Sequence, residues 1–205
     1  MVGSMANPAG NTHVYLDVTK HKEQIPKPED LYPIPPDLLS CLLEIAPKIL
    51  KSGAWWSIGG DLSENIMGVH VRPKEIEIMT DGVGLDKVVR ALSDYNPRPI
   101  NVEERRIERE AELDLRKYPV FERFTGAEFT RGGAKVTIQG DYRLKVGEWE
   151  WGDAFFFKPD TVNVALVRIP VMPLALRSEI HITLGWLDRA QLIAEAYAAA
   201  HAEKV

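Results

Sequence analysis

The sequence predicts an α/β or α+β fold: a mixed β-sheet with its helices mainly on one face, plus C-terminal helices from about residue 173. Three observations lead there. Apolar residues recur at helical spacing from Leu38 to Leu50 and again from Leu85 to Leu92. Between and after them lie short runs with the two-residue period of a half-buried strand, above all Glu75-Ile76-Glu77-Ile78-Met79. The resulting order is helix, strand, helix, strand, helix, several strands and two helices, with no internal repeat.

Residues 1–36 are polar, and Pro26, Pro28, Pro33, Pro35 and Pro36 forbid a continuous helix, so they read as an arm before a single domain over residues 37–205. Pro35 and Pro36 stand where a helix can open, because a missing N–H costs little in the first turn. That helix reaches about residue 51, and Cys41 beside its stripe reads as a small buried hydrophobe. Ala54 to Ile58 reads as a short strand that stops at Gly59-Gly60, with Trp55 and Trp56 facing opposite sides. Asp61 to Gly68 fits a short helix, with Asp61 and Glu64 spaced as a capping box. The strand Glu75–Met79 turns its two glutamates the same way. Thr80-Asp81-Gly82 then makes a turn into a helix ending near Pro97.

From Ile100 to Phe124 a solvated helix and an edge strand both fit, since the charges between Glu103 and Lys117 alternate in sign and cancel. Residues 121–130 and 135–139 read as a hairpin joined at Gly132-Gly133, its second strand broken by Gly140-Asp141. Trp149–Trp151 and Ala154–Phe157 read as a further strand pair, and Thr161–Ile169 as a last strand. Beyond Pro170 and Pro173, a helix over 174–184 stops at Gly185, and Asp188 opens the final helix.

With 205 residues, the chain is large enough for a sizeable core. Its 25 Lys+Arg against 30 Asp+Glu give a net charge of −5, which argues against extended nucleic acid or an anionic membrane as partner. One cysteine excludes an intramolecular disulfide and a cysteine-rich zinc site, and no apolar run approaches the ~20 residues of a membrane helix, so a cytoplasmic protein is expected. The oligomeric state stays open, a homo-oligomer included.

The chemistry concentrates between Ile58 and Ile78. Gly59-Gly60 lets backbone N–H groups approach a triphosphate, and the helix after it adds the positive end of its dipole. Glu75 and Glu77, two apart on a strand, can share hard divalent cations that bridge phosphates. The ordinary alternative is an edge strand with both glutamates solvated and Ile76 and Ile78 in the core. Asp61-Leu62-Ser63-Glu64 serves as a capping box, or Ser63 contacts a phosphate. The five histidines lack metal-ligand spacing, and His70 is set apart only by its place, with Arg72 and Lys74, between Gly60 and Glu75.

Ile58-Gly59-Gly60 followed by Glu75-Ile76-Glu77-Ile78 resembles the signature of the nucleotidyltransferase superfamily, in particular its small prokaryotic and archaeal members. The resemblance implies a nucleotidyltransferase-like fold and transfer of a nucleotidyl group from a nucleoside triphosphate to the hydroxyl of an unidentified acceptor. It also implies Mg2+ or Mn2+ held by Glu75 and Glu77, with Gly59, Gly60 and Ser63 at the phosphates. Two departures bear on catalysis. Glu75 stands where active members usually carry aspartate, and the extra methylene moves the carboxylate by about 1.5 Å in a site of strict octahedral geometry. The third acid of the pattern falls at Thr137, and Asp141 replaces it only if the chain bends back. A catalytically silent nucleotide-binding or regulatory protein on the same fold, or a protein-interaction module, is therefore the alternative.

Overall fold

Pro35 and Pro36 open the first helix of the computed structural model, which describes residues 4–6, 12–14, 32–107 and 119–202. Helix α1 spans Pro36–Ser52 and stops at Gly53, whose left-handed backbone (φ 65°) reverses the chain. Ser4–Ala6 (β1) and Thr12–Val14 (β2) pair antiparallel, and the rest of the proline-rich arm before Tyr32 lies outside the described residues. Strand β3 (Trp56–Ile58), helix α2 (Gly60–Ile66), strand β4 (Ile76–Thr80) and helix α3 (Gly82–Ala91) follow in the order the periodicity predicts.

The ambiguous stretch after Pro97 resolves in favour of the edge strand. Strand β5 (Arg98–Ile107) pairs antiparallel with β6 (Val120–Arg131), and residues 108–118 lie outside the described residues. Strand β7 spans Ala134–Val146, so Gly140-Asp141 does not break it. The register instead shifts there, from Thr125 opposite Gly140 to Arg123 opposite Arg143, which places one extra residue in β7. The expected strand pair over 149–157 is also corrected. That segment runs as irregular chain alongside β7, with Gly152 N–H donating to Leu144 O and Phe155 N–H to Tyr142 O. The expected last strand is a hairpin, β8 (Asp160–Val164) and β9 (Val167–Val171). Its turn residues Ala165 and Leu166 both have positive φ (44° and 72°) without the glycine or asparagine that signals such a turn. Helices α4 (Leu174–Leu184) and α5 (Leu187–Ala202) close the chain.

The seven strands β3 to β9 lie in the order β5-β6-β7-β4-β3-β9-β8. The mixed character arises at the centre, where β4 is parallel to β7 but antiparallel to β3, and β3 is parallel to β9. Leu38, Leu42, Ile45 and Ile49 of α1, Val88 of α3 and Leu92 just after it cover one face, against Ile58, Ile76, Ile78, Val136, Ile138, Ile169 and Val171. Each such side chain contributes about 1.5–3 kcal/mol by leaving water. Because Ile76 and Ile78 are committed there, Glu77 and Met79 emerge on the other face. Met79 packs with Met172, Ile180 and Leu184, so α4 borders that second face. Trp56 enters the main core, while Trp55 turns away and donates its indole N–H to Phe157 O (3.2 Å). Among the described residues no helix is long and apolar enough to cross a membrane.

Cys41 is buried under α1, and burial first, then the Glu44 carboxylate, pushes its thiol up to about 11. The thiolate is the reactive form. Alkylation by iodoacetamide at pH 8 is expected to proceed only as fast as the protein unfolds, and rapid labelling of the native protein would contradict this burial.

Candidate functional site

The centre of the sheet joins the two halves of the sequence signature. Pairing of Ile58 with Ile78 sets Gly59 beside Glu77, and the Gly59 N–H donates to Glu77 O (2.9 Å). Gly60 then turns the chain into α2 with φ 58°, a conformation that L side chains rarely adopt. A Cβ there would lie 2.6 Å from the carboxyl carbon of Glu77. The glycine is thus required twice, by its own backbone and by the glutamate above it.

Glu75 lies just before β4 and projects to the same side as Glu77. Its carboxylate pairs with Lys135 Nζ (2.8 Å) and accepts from Thr137 Oγ1 (3.2 Å). Thr137 is directly opposite Glu77 on β7, so the position predicted for a third acid adjoins the pair but carries a hydroxyl. Burial, together with the Glu75, Asp61 and Glu122 carboxylates and against the charge of Arg177, raises Glu77 to about 7. Asp61 and Glu122 are therefore the other acids close enough to act on this carboxylate.

The structure does not bring Asp141 to them. Asp141 follows Thr137 by four residues, about 13 Å along an extended strand, and its Oδ1 accepts from the Gly82 N–H (3.0 Å) at the start of α3. Ser63 is also placed differently from the phosphate-contact reading: it is buried, and its hydroxyl donates back to Gly60 O (2.8 Å). The capping box is absent, since α2 starts at Gly60 with no side-chain cap. His70 packs on Tyr32, ring centroids 4.5 Å apart.

Sequence reading missed the acids and bases that surround the pair. Glu122 of β6 is buried, accepts from Tyr142 OH (2.7 Å) and Arg105 Nε (2.6 Å), and reaches the site because β6 lies next to β7. Below the glycine turn, Glu64 of α2 is wholly buried and accepts from Arg177 Nε and from His181 Nε2 (both 2.7 Å) and from Arg189 Nη2 (3.0 Å). Arg189 also holds Asp61. Burial opposes the charge on Glu64, but the hydrogen bond from His181 and the charges of Arg177, His181 and Arg189 outweigh it and hold the carboxyl at about 2. Burial lowers His181, so its Nε2–H is the donor to the ionised Glu64 and Nδ1 is an acceptor with no partner among the described residues. The signal available in sequence was the i, i+4 spacing of Arg177 and His181 on one helix face, with nothing to name Glu64 as their partner.

Among the described residues no three His, Cys, Asp or Glu side chains are grouped to enclose a metal. Two carboxylates and a hydroxyl do suit Mg2+, which is commonly held by one or two carboxylates with water and substrate phosphates completing its shell. Glu75 and Glu77 fit a cation that arrives with a phosphate ligand, not one caged by protein alone.

This sheet order and helix placement define a nucleotidyltransferase-like fold. A crystal structure from Thermotoga maritima, described as a putative nucleotidyltransferase, superimposes with a TM-score of 0.59 at 23% identity, covering 82% of this chain and 97% of that one. Weaker likenesses are to ANT(2")-Ia in complex with adenylyl-2"-tobramycin (TM-score 0.44, 11% identity, 81% of this chain and 91% of that one) and to the lincomycin-bound lincosamide antibiotic adenylyltransferase LnuA (0.45, 11%, 80% and 98%). No protein-family model and no curated protein matches the sequence.

Proposed function

We propose that the chain is a nucleotidyltransferase acting at the Gly59–Gly60 turn and the Glu75/Glu77 pair. The observation that carries this reading is the approach of Glu77 over Gly60, which unites a left-handed glycine turn and a paired-carboxylate strand in one place. Gly59 N–H is held by Glu77 O, so backbone N–H groups from Gly60 onward, at the start of α2, would receive the phosphates of a nucleoside triphosphate, and Glu75 and Glu77 would hold Mg2+ or Mn2+. A cation bound there would neutralise charge on the phosphates. In the transfer, an acceptor hydroxyl oxygen bonds to the α-phosphorus, the α–β bridging P–O bond breaks, pyrophosphate leaves and the hydroxyl proton passes to solvent.

A second reading, a nucleotide-binding protein without transfer, is favoured by Thr137 at the third-acid position and by the Glu75–Lys135 ion pair. Melting temperature with each nucleoside triphosphate, with and without Mg2+ or Mn2+, tests both, because a ligand of the native state stabilises by RT ln(1+[L]/Kd). At 100 Kd the gain is about 2.7 kcal/mol. Glu77→Gln is expected to abolish the metal-dependent part of that shift. Absence of any shift at millimolar nucleotide would remove both readings, and pyrophosphate release with candidate acceptors separates transferase from silent binder.

A further inference from the structure

We infer that the opposite face of the sheet carries a second site, an anion-binding groove for a phosphate-bearing small molecule built on Arg123 and Arg143. Burial changes face along β6. Ala127 and Phe129 are buried under α1 and α3, whereas farther along the strand Val120, Glu122 and Phe124 are buried on the Glu77 side. Strand β6 keeps its alternation throughout, so Arg123 and Thr125 project on the α1/α3 side beyond the helices, away from the acid pair.

There Arg123 lies directly opposite Arg143 of β7. Like charges at directly opposed positions repel at a Cβ separation of about 5 Å. Among the described residues neither arginine is paired with a carboxylate, although neighbouring Arg98, Arg105 and Lys145 all are. Both are half-buried and line an open groove of about 460 Å3 with Asn101, Thr125 and Asp141. The Asp141 carboxylate is turned to the Gly82 N–H. Arg123 is oriented by Trp151, whose ring lies 4.6 Å below its guanidinium.

Two arginines lining one groove match the oxygens of a phosphate, which each guanidinium can bind through two N–H donors. The groove has the size of a small-molecule site, and the net charge of −5 disfavours a polymeric polyanion. A phosphate ester bound there relieves the arginine repulsion. The β7 bulge at Asp141 makes this arrangement, because the extra residue brings Arg143 onto the same side as Arg123.

The test uses the full chain in EDTA, so its outcome is independent of the metal-dependent site. Inorganic phosphate and ribose 5-phosphate are titrated into 15N-labelled protein at constant ionic strength, with ribose as control. The Trp151 indole N–H signal, assigned with Trp151→Phe, is expected to move and saturate with both phosphates and to stay still with ribose. Arg143→Gln and Arg123→Gln are each expected to weaken this binding about tenfold or more. In chloride buffer, Arg143→Gln is expected to melt no lower than the unaltered protein, because a repulsion is removed. An immobile Trp151 signal, or glutamine variants that bind phosphate as tightly as the unaltered chain, would overturn the assignment. The titration of the unaltered protein decides the matter even if a variant does not fold.

Discussion

Glu64→Ala is expected to cost about 3–5 kcal/mol of folding stability, the usual consequence of removing one partner from a buried charge cluster. For a chain of this length that is a fall in Tm on the order of 10 °C. The loss is large because His181 is buried, Arg177 is only 12% exposed and Glu64 is the carboxylate between them, so truncation leaves a guanidinium without its counter-charge. Glu64 also predicts a pH dependence. Its carboxyl is held at about 2 in the folded protein against an ordinary value of 4.5. A group depressed in this way contributes fully above pH 4.5, and its contribution drains away as pH falls towards 2. Thermal melts of the parent protein, Glu64→Ala and Glu64→Gln at pH 7, 4.5 and 3 measure both effects. The parent should lose part of its advantage over either variant between pH 4.5 and 3, and a constant difference across that range would show that Glu64 is not the linked group.

The second large effect is at Gly60. Gly60→Ala forces an L residue into left-handed backbone at a cost of about 1–2 kcal/mol and drives its methyl group into the Glu77 carboxylate. That carboxylate ends a flexible side chain and can move aside, so the main consequence falls on the site: metal-dependent stabilisation by nucleoside triphosphate should disappear. Gly53→Ala is the matched control. Gly53 has φ 65°, and a Cβ there meets nothing within 4 Å. It should show the same backbone penalty and retain the nucleotide response. Equal nucleotide responses in the two variants would sever Gly60 from the binding site.

Both effects arise around one turn, and they divide its work. The buried Glu64 cluster fixes α2 against α4 and α5 from below, and the glycine turn delivers Glu77 above. Arg177 connects the two levels, since its charge favours ionised Glu77 while it binds Glu64.

The sequence by itself determined the parts of the protein written in local periodicity. The alternation from Glu75 to Met79 places Ile76 and Ile78 in the core and Glu77 on the other face, because a strand has only two sides. Gly59-Gly60 marked the close approach, and the apolar stripe of Leu38 to Leu50 marked α1. Local pattern was silent or misleading where a conformation is stabilised by distant contacts. The turn at Ala165-Leu166 carries no turn residue, and β7 continues through Gly140-Asp141 because β6 pairs with it on both sides of a bulge there. Only the tertiary structure decided which charges meet. It sent Asp141 to the α3 N-terminus, brought Glu122 towards Glu77, and closed Glu64 against residues more than 100 positions away in the chain. The physical reason is range: backbone periodicity fixes which side a residue faces, whereas the partner of a buried charge is set by strand order and helix docking, which no short stretch of sequence encodes.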